Sequence, residues 1–238
     1  MFNAKKTKNE IVRWIRTYFV ENSNGGSAVI GISGGKDSSV VAALCVEALG
    51  KDKVVGVLMP QGEQYDINIS FDLVNHLEII HKVINIKDMA TAFAANIEPL
   101  SVQALYNIPA RIRMTVLYAI SSTGNGRVAN TSNLSEDWIG WATKFGDGAG
   151  DFSPLANLTA TEVILIGKEL GLPEKFVNKI PEDGLTGKSD EENFGFTYEV
   201  LDKYIREGIC DDVAVKDKID RLHKHNLHKT NSMPSYKY

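Results

Sequence analysis

The sequence predicts an α/β fold: an open parallel sheet with helices on both faces. Two observations carry this. Four short strand-like segments, "SAVIGI", "KVVGVLMP", "HKVINI" and "GRVANT", alternate with segments whose apolar residues recur at helical spacing. A chain of 238 residues is also long enough for one large α/β core and leaves little over for a second. Strand and helix in strict alternation favour parallel pairing, with ligands expected at the carboxyl ends of the strands.

The elements follow in order. Around residues 8 to 22, Ile11, Ile15, Tyr18 and Phe19 fall on one helical face that packs on the rest of the protein. "SAVIGI" is a short buried strand, and a helix from Ser38 to about Leu49 follows it. "KVVGVLMP" is the second strand, stopped by Pro60, and "DINISFDLVNHLEI" returns as a helix with Ile67, Phe71 and Val74 on successive turns. The third strand is "HKVINI". Two helices are expected near 88–97 and 101–122, and "GRVANT" after a Gly-Asn-Gly turn is the fourth strand. The stretch from Asp137 to Pro154 is glycine-rich and "EDGLTGKSDEENFG" is acidic and polar; loops of this length inside a compact domain point to function.

Composition narrows the function. A net charge of −4 gives no general attraction to nucleic acid, which is therefore not an expected partner. Cys45 and Cys210 lie far apart without a zinc-type pattern, which fits a reducing compartment. The N-terminus has no uninterrupted apolar stretch, and no run of about 18 apolar residues occurs. A cytoplasmic protein without membrane association is expected.

"GISGGKDSS", residues 31–39, sits at the first strand-to-helix junction. A Walker A loop would need glycine where Ile30 stands and a hydroxyl residue where Asp37 stands, so it fails twice. The G-x-G-x-x-G dinucleotide fingerprint fails on spacing. What remains is a glycine loop that lets backbone amides approach an anion, reinforced by the helix dipole and by the hydroxyls of Ser33, Ser38 and Ser39. Asp37 would repel a phosphate unless a cation lies between them, which makes it a candidate magnesium ligand. A plain glycine turn with Asp37 and Ser38 as helix caps is the structural alternative.

This loop resembles the pyrophosphate loop of the N-type ATP pyrophosphatases, which cleave ATP between the α and β phosphates and adenylate an acceptor oxygen. The blocks "NIPARIRM" (107–114), "NTSNLSEDWIGWATKFGDGAGDFSPL" (130–155), "KSDEENFGFTYEVLD" (188–202) and "HK" (228–229) together resemble the NAD synthetases. The resemblance implies a Rossmann-like, adenine nucleotide alpha hydrolase-like fold. It also implies ATP and Mg²⁺, deamido-NAD as acceptor, ammonia as donor, and a homodimer whose dinucleotide site is completed across the interface. Because 238 residues leave no room for the amidase domain of glutamine-hydrolysing members, residues 1–238 are expected to form one ammonia-dependent domain without a glutaminase.

The same resemblance assigns residues. Gly31, Ile32, Ser33, Gly34, Gly35, Lys36, Asp37, Ser38, Met59, Gln64 and Thr131 would bind ATP. Asp37 and Glu136 would hold the metal, a number of carboxylates that suits Mg²⁺ completed by phosphate oxygens and water. Asn107, Arg111, Tyr118, Lys144, Asp151, His228 and Lys229 would bind deamido-NAD, with Asp147, Lys36 and Ser38 as catalytic residues. Helical spacing independently puts Asn107, Arg111 and Tyr118 on one face, whereas Arg113, about 200° from Arg111, points elsewhere. Glu136 has a structural alternative as a capping-box acid three residues after Asn133. The mobile "TKFGDGAGD" loop suits closure over a polar substrate, and Asp147 in it would bind ammonium or accept its proton.

Some positions depart from the family pattern. Ala160 stands where many members have lysine, Glu182 where they have serine or threonine, and Thr230 where arginine is usual. Either Lys36, Lys179 or Lys188 would then replace the lost charge, or ATP would lie somewhat differently. Two other readings are a related pyrophosphatase with a different acceptor, and a nucleotide-binding protein without catalysis.

Overall fold

A computed structural model describes residues 2–97, 99–178 and 189–237. In chain order the elements are α1 (Ala4–Asn22), β1 (Ala28–Gly31), α2 (Lys36–Leu49), β2 (Val54–Leu58), α3 (Ile67–His76), β3 (Ile80–Val83), α4 (Lys87–Ala95), α5 (Val102–Thr123) and β4 (Arg127–Val128). There follow α6 (Leu134–Ile139), α7 (Ala160–Glu169), α8 (Glu174–Val177), α9 (Asp190–Phe194), α10 (Tyr198–Glu207) and α11 (Val213–Thr230). The four strands pair in parallel in the order β3-β2-β1-β4.

Alternation along β1 decides what lies on each side. Ala28 and Ile30 pack with Val40, Leu44 and Ile166 on the face covered by α1, α2 and α7. Val29 points the other way, to Met114 and Leu117 of α5. Buried on both faces, the strand needs apolar residues at every position, and "AVI" supplies them. A third cluster, built around Ile139, Phe194, Leu201 and Ile219, joins α6 to the C-terminal helices.

The four expected strands are present and parallel, though β4 is only two residues long. α1 begins at Ala4, earlier than apolar spacing alone indicates, because the Asn3 side chain caps its first turn. A short helix, α6, begins before the expected glycine-rich stretch and takes up its first residues, held by a capping box between Asn133 and Glu136. The chain visits β1, β2 and β3 outward on one side, then crosses back so that β4 lies on the other side of β1. That reversal opens a crevice at the carboxyl ends of β1 and β4.

Candidate active site

The loop after β1 leads into α2 through Gly34, whose φ of +77° lies in the left-handed region. A Cβ there would also come to 3.0 Å from Ser70 Oγ, a tight contact that adds to the backbone's demand for glycine. Gly35 caps α2 without any side-chain bond, which leaves the first-turn amides of a 14-residue helix uncapped by side chains. Ser38 Oγ lies 3.1 Å from Ser33 Oγ and donates to the Gly35 carbonyl at 3.1 Å. Gly31 ends β1 and Ile32 is buried beyond it, its N–H bonded to the Val57 carbonyl at 2.9 Å.

Asp37 is not the cap of α2. Its Oδ1 accepts from Asn133 Nδ2 at 3.0 Å and its Oδ2 from Lys36 Nζ at 2.8 Å. Asn133 is wholly buried and is the hub of this corner: its Oδ1 also accepts the N–H groups of Ser135 and Glu136, and its own N–H donates to Glu136 Oε2 at 3.3 Å. The structural alternative for Glu136 is therefore realised, since the residue closes a capping box. It simultaneously faces Asp37. Burial first, and the Asp37 charge second, hold the Glu136 carboxyl well above the usual carboxylate range. Two acids driven together in this way form a donor pair that a divalent cation would relieve. Among the described residues no cluster of three or more metal-binding side chains occurs, so a cation here would complete its shell with phosphate and water. Asp37 and Glu136 fit that role.

Asp190 and Tyr198 also border this corner. Tyr198 donates its hydroxyl to Asp190 Oδ2 at 3.0 Å, and Trp141 Nε1 donates to Oδ1 at 3.1 Å.

A second group surrounds a cavity of about 330 Å³ whose lining includes Asn130, Asp137, Lys144, Asp151 and Lys229. Asn107 of α5 accepts from Thr143 Oγ1 at 2.9 Å, and the Thr143 N–H donates to Asp147 Oδ1 at 2.9 Å. Arg111 Nε donates to the Lys144 carbonyl at 3.3 Å. Tyr118 donates to Asp151 Oδ1 at 3.3 Å, while Asp151 Oδ2 accepts from the Val128 N–H at 2.7 Å. Lys144 Nζ reaches the main-chain carbonyl of His228, and Lys229 Nζ that of Gly140 at 2.7 Å. α11 thus returns its last turn to the site. Asp147 is open to water at the mouth of the cleft; surrounding protein pushes its carboxyl upward, but solvent access leaves that shift little energetic weight.

Arg113 points away from Arg111, as helical spacing requires, and its half-buried guanidinium donates to the Met59 carbonyl at 3.0 Å. Gln64 Nε2 donates to Asp66 Oδ1 at 2.8 Å, and Thr131 is half-buried just past β4. Ala160 is packed in the third core cluster with Tyr198. Glu182, Lys179 and Lys188 lie outside the described residues.

Sequence reasoning missed Asn130, Asp137, Asp190 and Tyr198 as site members, although all four stand in blocks singled out there. Asn130 Nδ2 donates to the Asp147 carbonyl at 2.9 Å and so ties β4 to the loop. Asp137, next to Glu136, faces the cavity, and its carboxyl is pushed up to about 6, first by burial and then by Asp147. An acid whose folded pKa exceeds its unfolded value costs stability above the folded pKa, and the cost fades as pH falls to the unfolded one. Asp137→Asn is therefore expected to stabilise the free protein by about 1 kcal/mol at pH 8 and by nothing near about pH 4. Chemical denaturation at the two pH values in EDTA checks this.

A glycine loop at the switch point of an open parallel sheet defines the class: α/β enzymes of the adenine nucleotide alpha hydrolase type. Within it the chain belongs to the NAD synthase family, whose family model matches residues 7–238. A protein named NH(3)-dependent NAD(+) synthetase from Pyrococcus horikoshii is 39% identical over 236 residues, covering 93% of this chain and 91% of the relative. Among solved structures, an NMN synthetase from Francisella tularensis superposes with a TM-score of 0.92 at 31% identity over 100% of both chains. An NH3-dependent NAD synthetase from Campylobacter jejuni does so at 0.82 and 28%, again over 100% of both.

Proposed function

We infer that this ligase joins ammonia to the nicotinate carboxylate of deamido-NAD at the expense of ATP, giving NAD, AMP and pyrophosphate. The carrying observation is that the phosphate-loop corner and the acceptor cleft meet on consecutive residues, Glu136 facing the first and Asp137 the second. Residues from Gly31 to Ser38, with Met59, Gln64 and Thr131, bind ATP in this reading. Asn107, Arg111, Tyr118, Lys144, Asp151, His228 and Lys229 bind the acceptor.

The chain's own groups then perform the chemistry. The α2 amides and the Ser33 and Ser38 hydroxyls stabilise charge gathering on the departing pyrophosphate as the carboxylate attacks the α-phosphorus. Magnesium, held by Asp37 and Glu136, would supply charge neutralisation between the phosphates. Lys144 and Arg111 orient the acceptor, since positioning carries much of such a barrier. Asp147, open to the cleft, receives the proton that ammonium must lose before attack on the adenylated carbonyl, after which AMP leaves.

Purified enzyme with deamido-NAD, ATP, magnesium and ammonium is expected to form NAD, AMP and pyrophosphate in equal amounts. No NAD would sink this reading. Asp147→Asn is expected to lower kcat at saturating ammonium by about 10²-fold with little change in KM for ATP. Unchanged turnover would remove Asp147 from the proton step.

The TM-score of 0.92 to an NMN synthetase favours a second reading, in which nicotinate mononucleotide is the acceptor. Comparing kcat/KM for the two acceptors decides between them. A thiolating relative is disfavoured, because Cys45 is fully buried and its thiol pushed up by that burial.

A homodimer is part of the proposal. Ile80, Met89, Phe93, Val102, Leu105 and Tyr106, from β3, α4 and α5, are exposed large apolar residues, more than an isolated monomer ordinarily leaves to water. Light scattering at micromolar concentration tests it. No helix among the described residues is long and apolar enough to cross a membrane. The proposed cytoplasmic location rests on cysteine usage and composition.

A further inference from the structure

Lys36 occupies an unfavourable place. It is the first residue of α2, where the helix dipole opposes a cation, and it is only 4% exposed. A buried ammonium is costly unless it is paired. Its pairing is all on one side: Nζ lies 2.8 Å from Asp37 Oδ2 and 5.2 Å above the Tyr198 ring, and Glu136 and Asp190 add to the attraction. The ammonium therefore stands among the carboxylates to which the metal was assigned above.

Both Asp37 oxygens are in use. Oδ2 takes Lys36, and Oδ1 takes the Asn133 amide. Glu136 is likewise engaged, closing the α6 capping box through Oε2. A divalent ion arriving alone would have to displace the lysine from Asp37 and leave an ammonium buried with fewer partners. It would gain two carboxylates and no third protein acid from the described residues. An ion arriving with a triphosphate meets a different balance, because phosphate oxygens complete its shell and give the displaced ammonium a new anionic partner beside the α2 N-terminus.

The geometry points to Lys36 as the resident counter-cation of the Asp37–Glu136 pair: it holds the metal's place in the free protein and yields it only to metal and nucleotide together. Lys36 thereby sets the order of loading and, once moved, neutralises the pyrophosphate end of ATP. The inference rests on the functional reading above for the identity of the nucleotide. It gives Lys36 a positioning role that an ordinary buried ion pair would not have.

The test is metal binding, read without turnover. Mn²⁺ is titrated by electron paramagnetic resonance into wild type, Lys36→Met and Lys36→Gln, each without nucleotide and with α,β-methylene-ATP. Free wild type is expected to bind Mn²⁺ weakly. Both variants are expected to bind it at least tenfold more tightly without nucleotide, and to lose most of the enhancement that the nucleotide confers on wild type. A structural ion pair predicts variants that melt lower and gain no Mn²⁺ affinity, and that result overturns the inference. If one variant fails to fold, the other carries the comparison. If both fail, wild type decides: Mn²⁺ binding as tight without nucleotide as with it overturns the inference, and strict nucleotide dependence upholds it. Failure to amidate either nicotinate acceptor, with the metal results intact, would sink the functional reading alone; normal turnover with no metal competition would sink this inference alone.

Discussion

Asp37→Asn is expected to lower kcat by on the order of 10³-fold while leaving the fold intact. The amide keeps the volume and can still meet Asn133 through its oxygen, but it removes the charge that pairs with Lys36 and that the proposed divalent ion would share. Pre-organised charge at a leaving group is worth several kcal/mol, so the loss falls on the chemical step rather than on acceptor binding. The same change withdraws the hydrogen-bonded anion from a nearly buried ammonium. Glu136 and Asp190 still attract Lys36, so a stability loss of about 2 kcal/mol is expected, below the usual cost of breaking a buried pair. Single-turnover pyrophosphate release beside a urea melt separates the two effects. A variant with near-normal release would show that Asp37 is only a structural partner for Lys36.

Asp202→Ala is expected to have the largest effect on stability, about 3 kcal/mol or more. Asp202 is 5% exposed, and both of its oxygens are occupied. Oδ1 accepts from Ser135 Oγ, and Oδ2 accepts from the N–H and the hydroxyl of Thr161 at 2.8 and 2.6 Å. Ser135 in turn accepts the Ala160 N–H at 2.9 Å, so one carboxylate fastens the starts of α6 and α7 to α10. Alanine would strand several buried donors at about 1–3 kcal/mol each, partly recovered by water. For a chain of this length that corresponds to a fall of about 10 °C in Tm. Because α6 carries Glu136, KM for ATP is expected to rise even below the melting range. Asp202→Asn, which keeps one acceptor, is expected to lose about half as much stability. A melt within about 2 °C of wild type for the alanine variant would refute the network's role.

The fold was legible in the sequence where burial is two-sided. β1 and β2 read as unbroken apolar runs because both faces are covered, whereas β4, only Arg127 and Val128, was marked by the Gly-Asn-Gly turn before it. α6 was not legible as a helix. Its six residues have too few turns to show a period, and only the Asn133 and Glu136 pair marked it, a pattern equally consistent with a ligand. The site divided in the same way. Asp37 was singled out because a carboxylate in a phosphate loop is chemically odd. Asp190 and Asp202 were missed because helix-start and mid-helix acids are ordinary in sequence, and only the tertiary fold turns these two inward. Helical geometry did predict the divergence of Arg111 and Arg113, since spacing within one helix needs no tertiary information.

The end of β4 is stitched to residues far along the chain. Asp151 N–H donates to the Val128 carbonyl at 2.7 Å, and Asn130 N–H donates to the Phe152 carbonyl at 2.8 Å. Everything between, from Thr131 through α6 to Gly150, is an excursion pinched at its neck, and it carries Glu136, Lys144 and Asp147. In polymer terms the ends are already closed, so doubling the enclosed length would cost only about 0.6 kcal/mol of closure entropy. The β1–α2 loop has less freedom, because Gly34 takes a left-handed φ in a place where a side chain would crowd Ser70. Insertions and deletions in a lineage of such enzymes should therefore collect inside the neck, beside the proposed acceptor cleft, and spare the turn proposed to hold the phosphates.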